Sequence, residues 1–253
     1  LVGDTRRVTS PELNLEIGLR RLYKPIRRSE FYSSGFLTEE RALPLGDLLG
    51  TVTPLQIEEV STRSTALLFA RVAVTPPPGA SYQVGDTLLV VTVRREIPGY
   101  GNVIEPTGLL RVVDVSHPQN VAEVIASYGP VRNGQRALPA EKFNDPGHVR
   151  PVPISDGVKA TVLGNRDVQP LTGPQDVVFL DRGRKDGVAL GDIFELRQQP
   201  HPRLGMANVI DEPMATVQVV HVGESTCTAR VVKIIHPNIP PGTEARQIAK
   251  LPS

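Results

Sequence analysis

The sequence has no tryptophan, a single cysteine and almost no excess of charge of either sign. Aromatic residues make up 4% of its 253 residues, too few for the stacked platforms that bind bases or sugars. The lone Cys227 excludes an internal disulfide and any site built from several cysteines. A formal net charge of +1 argues against binding to nucleic acid. No apolar run approaches the roughly 18 residues that a membrane helix needs, so we expect no transmembrane segment.

Residue spacings that carry catalytic chemistry are also missing. The five histidines never occur as His-x-x-x-His, so the sequence offers no zinc site. It contains neither a Gly-x-x-x-x-Gly-Lys phosphate loop nor a Gly-x-Ser-x-Gly nucleophile elbow. The charged, Gly-rich segment 181–187 is more typical of a solvated hairpin turn than of a ligand site. We therefore expect a non-enzymatic protein with no catalytic residues, no metal and no cofactor.

Proline and glycine are frequent throughout the sequence. Twenty-four prolines and 22 glycines interrupt the chain too often for long helices. The apolar segments between them are short, rich in valine and isoleucine, and bounded by Gly, Pro, Asp and Asn. This pattern predicts a mainly β protein.

The most informative pattern is an internal repeat. Gly85-Asp86 recurs 106 positions later as Gly191-Asp192, and Glu105-Pro106 recurs 107 positions later as Glu212-Pro213. Each Glu-Pro is followed by two further strands, 110–115 and 122–125 in the first copy. The repeat predicts two related modules, each a small barrel or sandwich of four or five antiparallel strands.

The repeat also sets the predicted domain boundaries. We expect an extended N-terminal arm over 1–56, a first module over 57–136, a Pro-rich linker over 137–156 and a second module over 157–253. The arm has too little apolar periodicity to form its own core. We therefore expect it to lie along a domain or a neighbouring subunit.

Basic and aromatic side chains cluster in this arm. Guanidinium groups form forked hydrogen bonds with carboxylates on a partner, although a solvated basic face is the alternative interpretation. The predicted partner interface consists of Arg20, Arg21, Tyr23, Arg27, Arg28, Phe31, Tyr32 and Phe36.

The run from Pro174 to Phe194, with its Val188-Ala189-Leu190-Gly191-Asp192 step, resembles the C-terminal domain of flagellar assembly protein T. The resemblance implies a small β-barrel in which a strand, a turn and a Val-x-x-Gly-Asp step recur. The wider chain, including 32–37 and 140–143, resembles the region after the LysM domain in bacterial envelope proteins, among them the type IV pilus secretin-associated protein. Members of that group bind peptidoglycan through LysM and ring the outer-membrane secretin.

The resemblance implies a non-catalytic scaffold or assembly protein in the periplasm or at the surface of a bacterium. No LysM domain occurs in these 253 residues, so peptidoglycan binding is expected only through a domain that is not in this chain. The expected partners are protein subunits, either further copies in a homo-oligomer or an envelope machine such as a secretin.

Three alternatives stay open on the sequence alone. The arm could join identical chains head to tail in a self-assembling extracellular filament or tube. An enzyme could assemble its site across the modules, for example from Asp114 and His221. A small-ligand module would instead hold an apolar cavity inside one barrel.

Overall fold

The computed structural model describes residues 23–52, 65–116, 119–145, 147, 149–198 and 212–251. These residues form two compact units. One unit is Arg27–Asn144, and the other consists of the described residues from Asp145 onward together with residues 23–26. Among the described residues, no helix is both long and apolar enough to span a bilayer.

The described residues of the first unit contain one short helix and nine strands. They are α1 (Arg28–Ser33), β1 (Phe36–Leu37), β2 (Gly46–Thr51), β3 (Thr65–Ala66), β4 (Arg71–Thr75), β5 (Thr87–Ile97), β6 (Gly101–Asp114), β7 (Asn120–Ser127), β8 (Val131–Arg132) and β9 (Arg136–Pro139). The described residues of the second unit contain β10 (Val152–Pro153), β11 (Lys159–Asn165), β12 (Val177–Leu180), a 3-10 turn (Arg184–Asp186), β13 (Ile193–Arg197), β14 (Pro213–Val222), β15 (Cys227–Ile234) and β16 (Glu244–Lys250).

Six strands of the first unit close into an antiparallel barrel. Their order around the barrel is β6-β5-β9-β2-β4-β7, and β7 pairs back onto β6. The short β1 is added outside this ring, where it pairs with β6. Strands β3 and β8 form a separate two-stranded sheet.

The second unit closes in the same strand order. Its ring is β14-β13-β16-β11-β12-β15, with β15 pairing back onto β14 and the short β10 added to β16. Each strand of the second ring therefore has a counterpart in the first, reached in the same chain order. The prediction of a mainly β protein with two related barrel modules is confirmed.

Irregular backbone details recur at matching places in the two barrels. The first strand of each carries a bulge at a glycine with positive φ, Gly50 (138°) in β2 and Gly164 (150°) in β11. Two residues before the second strand, a non-glycine also has positive φ: Phe69 (66°) in the first barrel and Gln175 (74°) in the second. Positive φ is uncommon outside glycine, so its recurrence supports duplication of one structural unit.

The Gly-Asp steps form the same turn in both barrels. The backbone N–H of Gly85 donates to the carbonyl of Val112 at 2.8 Å, and the Asp86 carboxylate accepts the backbone N–H three residues earlier at 2.8 Å. Gly191 and Asp192 make the corresponding bonds in the second barrel. Both glycines have positive φ, 98° and 89°, which glycine adopts without steric cost. The turn directs the chain into the third strand of each barrel.

Alternate residues of the strands fill each barrel with aliphatic side chains. Val72, Val90 and Leu110 are fully buried in the first barrel, and Val178 and Phe194 in the second. Fully burying one such side chain contributes about 1.5–3 kcal/mol. Cys227 belongs to the second core, as expected for a small apolar residue in a strand.

The structure draws the module boundaries at other places than predicted. Residues assigned to the arm supply α1, β1 and β2, and β2 is a member of the first ring, between β9 and β4. At the linker, residues 137–139 belong to β9, and Val152–Pro153 is the strand β10, so the segment without helix or strand begins at residue 140 and ends at 151 among the described residues. Barrel closure is the physical reason, because the ring needs both β2 and β9. Residues 1–22 of the predicted arm lie outside the described residues.

We predict that the two Gly-Asp turns tolerate alanine unequally. Gly85→Ala should destabilise the protein by about 1 kcal/mol, because alanine is strained at positive φ. Gly191→Ala should cost at least about 2 kcal/mol, because its Cβ would also overlap the Leu251 side chain, whereas nothing lies within 4 Å of a Cβ at Gly85. Urea denaturation followed by circular dichroism measures both. Equal losses would contradict this account of the turns.

Candidate interaction surfaces

The predicted interface aromatics of α1 pack on the outside of the first barrel. Tyr32 is buried, and its hydroxyl donates to the carbonyl of Glu141 at 2.7 Å. The Phe31 ring lies edge-on to Tyr32 at 5.2 Å and also contacts Phe143 at 5.3 Å. The rings join an apolar cluster that includes Ile104 of β6. These aromatic side chains therefore pack within their own unit.

Phe36 contributes to the same cluster from β1. It pairs with Ile104 across the β1–β6 ladder and is half-buried. Its neighbour Leu37 pairs with Val103 and is fully buried. The segment 28–37 is thus an integral cover of the first barrel. The assignment of its residues to a partner interface stays a prediction.

The two arginines beside α1 are exposed. The backbone N–H of Arg27 donates to the carboxylate of Glu30 at 2.9 Å, which caps the start of the helix. The Arg28 guanidinium lies 5.5 Å from the centre of the Tyr32 ring, within range of a cation–π interaction. Arg20 and Arg21, also predicted for the interface, lie outside the described residues.

Residues 23–26 lie on the second barrel. Tyr23 packs against Ile193 of β13, and the carbonyl of Lys24 accepts a hydrogen bond from the Gln218 side chain at 2.8 Å. Burial raises the pKa of the Tyr23 phenol, and the charge of Asp145 raises it further. Tyr23, predicted as a partner anchor, thus contacts its own chain. These four residues of the predicted arm therefore lie along the second barrel.

A groove occurs at the same place in both barrels, between the third strand and the turn into the last strand. In the first barrel its volume is about 310 Å³ and its lining includes Thr92, Thr107 and Gly134. The second groove measures about 260 Å³, with Gln198, Met214 and Gly242 at the corresponding positions. The two glycines make the same bond, each donating its backbone N–H to the first strand of its barrel at 2.9 and 2.8 Å. We name these the first and second grooves.

The first groove is polar and is organised by Gln135. The amide nitrogen of Gln135 donates to the hydroxyl of Thr92 and to the carbonyl of Pro130, both at 3.1 Å. Its oxygen accepts the backbone N–H of Arg132 at 2.8 Å and the hydroxyl of Thr107 at 3.2 Å. With both ends of the amide engaged, the floor of the groove is fixed in orientation.

Charged side chains stand at the rim of the first groove, whereas the second groove is mainly apolar. Arg94 pairs with Glu105 at 2.5 Å on one side, and the exposed Arg132 lies on the other. The corresponding turn of the second barrel carries Pro240 and Pro241. The same architecture thus presents different chemistry in the two copies.

An exposed apolar turn lies beside the first groove. Leu67, Leu68 and Phe69 are 74%, 49% and 68% exposed, and they directly follow β3, which pairs with β8 at the groove. The corresponding turn of the second barrel is Gly173-Pro174-Gln175, and there the Asp176 carboxylate accepts the backbone N–H of Gly173 at 2.5 Å. Three adjacent exposed apolar side chains are uncommon on a soluble surface away from an interaction site. We name Leu67–Phe69 the apolar turn.

Asp192 differs from its counterpart Asp86 by being fully buried. Its carboxylate accepts hydrogen bonds from the Gln247 amide at 2.6 Å and from the backbone N–H of Leu251 at 3.3 Å. Burial raises its pKa to about 6, while the hydrogen bonds and the charge of Lys250 act in the opposite direction. The buried carboxylate ties β16 and the following residue to the Gly-Asp turn.

Asp114 and His221, the residues considered for an enzymatic site, belong to different units. Asp114 accepts the backbone N–H of Ser116 at 2.8 Å in the turn after β6. His221 is buried in β14. Across the described ranges no group of three or more His, Cys, Asp or Glu side chains could hold a metal ion.

The grooves and the apolar turn were not anticipated from the sequence. The residues of the first groove come from segments up to 43 positions apart, Thr92 and Gln135, and only the strand order brings them together. The one available signal was the repeat itself, which aligns Gly134 with Gly242. A comparison with models of known protein families found no match, and a comparison with curated proteins found no relative.

We predict that Asp192 makes the stability of the second barrel depend on pH. Because its folded-state pKa is raised from 3.8 to about 6, its ionisation opposes folding. The contribution of Asp192 to the free energy of unfolding should be largest below pH 3.8. It should fall by about 2 to 3 kcal/mol as the pH rises to about 6. Asp192→Asn should remove this decline, measured by urea denaturation between pH 4 and pH 7.

Asp86→Asn is the matched control for this prediction. It changes the corresponding carboxylate of the first barrel, which is partly exposed. The control should keep the decline of stability with pH that the unaltered protein shows. An Asp192→Asn variant whose pH dependence matches that of the unaltered protein would contradict the assignment.

Proposed function

We propose that this chain is a non-catalytic scaffold of a bacterial cell-envelope assembly, acting in the periplasm or at the cell surface. It would hold protein subunits together by association rather than by turnover. The observation that carries the proposal is the duplicated barrel with unlike surfaces. One closed framework occurs twice, and its exposed turns and grooves differ in chemistry from copy to copy.

A closed barrel suits such a role for a physical reason. Ring closure pairs the strand edges, so the framework keeps its shape while the loops vary. Binding residues are commonly carried on loops that a rigid scaffold positions. In this chain the loops that differ most between the copies are the apolar turn and the turn that borders each groove.

The apolar turn supports a protein partner. Leaving Leu67, Leu68 and Phe69 in water is unfavourable, since each such apolar side chain gains about 1.5–3 kcal/mol on full burial. A partner surface that covers them would recover part of that free energy. Phe69 also has positive φ, a conformation that costs about 1–3 kcal/mol for a bulky residue and tends to occur at functional sites.

The cellular setting of the proposal comes from the resemblance of this chain to the region after LysM in secretin-associated envelope proteins. On that resemblance the partner is an envelope machine such as a secretin, and peptidoglycan would be bound by a domain that this chain does not contain. A homo-oligomer would present several copies of each surface around such a ring.

Site-specific photo-crosslinking tests this proposal. A photoreactive amino acid at Leu67 in the full gene product, expressed in its own bacterium, should form an adduct with another envelope protein, identified by mass spectrometry. The same residue at Val168, which is 85% exposed in the second unit, is the control and should give none.

Fractionation of the same cells tests the compartment. Recovery of the protein with the envelope is expected, and recovery in the cytosol would refute the proposal. Adducts formed only between copies of this chain would instead favour the self-assembling filament or tube.

A further inference from the structure

The Gly-Asp turn of the second barrel is covered by apolar side chains of its own unit. A Cβ at Gly191 would overlap the Leu251 side chain, and the Cδ1 atom of Ile26 lies 3.8 Å from the same point. Both side chains are buried. The backbone N–H of Leu251 also donates to the Asp192 carboxylate at 3.3 Å. One residue thus places an aliphatic side chain on the glycine and an N–H on the carboxylate.

The same turn of the first barrel has no such cover among the described residues. Nothing lies within 4 Å of a Cβ at Gly85, which is exposed, whereas Gly191 is buried. Asp86 is half-buried, and in the described part of the chain its carboxylate accepts one hydrogen bond, from the backbone N–H of Gln83. Val84, directly before the glycine, is 62% exposed. The two turns therefore share a backbone but differ in what lies on them.

The closing strands account for part of this difference. Leu88 of β5 pairs with Pro139. The corresponding residue of β13, Phe194, pairs with Gln247. Pro139 therefore occupies the position of Gln247, whose side-chain amide donates to Asp192 at 2.6 Å. Proline has no donor, so the closing strand of the first barrel cannot supply this bond to its Gly-Asp turn.

The path of the chain after the closing strand accounts for the rest. In the first barrel the chain runs onto α1, where the Glu141 carbonyl accepts the Tyr32 hydroxyl at 2.7 Å and Phe143 contacts Phe31. In the second barrel the residue after the closing strand, Leu251, lies on the Gly-Asp turn instead. A pocket of about 500 Å³ consequently lies beside the turn of the first barrel.

This pocket, which we name the turn pocket, lies entirely within the first unit. Its lining combines apolar, aromatic and backbone groups, among them Tyr82, Gly85, Leu88 and Pro139. Two basic and two acidic side chains also line it, Arg28, Lys142, Asp86 and Glu141. This balance of charge favours neither an anion nor a cation. The volume is within the range of pockets that bind small ligands or inserted side chains.

We infer that the turn pocket accepts an extended segment of a partner protein, which places a leucine-sized aliphatic side chain on Gly85 and a backbone N–H on the Asp86 carboxylate. The second barrel contains this arrangement, with Leu251 in the corresponding place. Burial of the aliphatic side chain would supply affinity, and the N–H would fix the position of the segment. The inference rests on the proposed role in protein assembly and names the chemistry of the partner segment.

The test uses the full chain and three labelled peptides. The first, fluorescein-Ile-Ala-Lys-Leu-Pro-amide, has the sequence of residues 248–252. The second has alanine in place of leucine. The third has N-methylleucine, which keeps the side chain but removes the N–H. Fluorescence anisotropy should show binding of the first peptide and at least about tenfold weaker binding of the other two.

Two glycine variants locate the binding site. Gly85→Ala places a Cβ where the leucine side chain would lie and should weaken binding of the first peptide by at least about tenfold. Gly99→Ala is the matched control, because Gly99 also has positive φ (78°) with nothing within 4 Å of its Cβ, but it follows the other end of β5. The control should leave binding within about twofold. Circular dichroism verifies that both variants are folded, and the peptide comparison in the unaltered protein does not depend on them.

Three results would each overturn the inference. They are no binding of the first peptide, binding of the alanine or N-methyl peptide that equals it, and equal effects of the two glycine variants. Because the assay uses purified protein, it is independent of the compartment. A cytosolic location with intact peptide binding would refute the envelope role alone, and an envelope location without binding would refute this site alone.

Discussion

Closure of each barrel by its last strand is the constraint on which the rest of the structure depends. In the first barrel β9 pairs with β2 on one side and β5 on the other, and in the second β16 pairs with β11 and β13. Without that strand the sheet would keep two open edges, and its aliphatic inner face would not be enclosed. The closing strand has four residues in the first copy and seven in the second. It pairs with four residues of the 11-residue β5 in the first copy and with all five residues of β13 in the second.

The sequence predicted the middle of each barrel better than its ends. Matching offsets of 106 and 107 correctly paired the strands that follow the Gly-Asp and Glu-Pro steps, because those strands and turns kept their spacing. The first strand of each barrel was not predicted, because its offset differs from 106 and 107. The bulge residues Gly50 in β2 and Gly164 in β11 are 114 positions apart. In β2, moreover, Gly46 and Gly50 flank the inward-facing Leu48, which leaves too little alternation to indicate a strand. Barrel closure depends on the pairing of all six strands, so local sequence patterns do not predict it.

The same limit explains the predicted interface residues. Local composition marked Tyr32 and Tyr23 for a partner interface, which stays a prediction, and it did not indicate which surface of their own chain they contact. Tyr32 covers the outside of the first barrel, and Tyr23 lies against the second. Each barrel wall has two faces, and strands such as β6 and β14 are buried along most of their length on both. Apolar residues outside the ring were therefore needed to cover the walls, and the arm supplied some of them. The first groove depended on contacts between Thr92, Thr107 and Gln135, which no local pattern predicts.

The two copies share one framework but differ in where their polar and apolar side chains lie. In the second copy, buried polar side chains bond within their own unit: Asp192 accepts a hydrogen bond from Gln247, and Gln218 on the outer face donates to the carbonyl of Lys24. In the first copy, Asp86 serves only its own turn, and the charged and apolar side chains beside the groove are exposed to solvent. A fold places residues but does not assign their role, so function must be argued from such differences. Since the backbone is shared, side chains at matching positions act as internal controls for one another. By that comparison the exposed apolar turn and the charged groove rim distinguish the first barrel, and the buried Asp192 distinguishes the second.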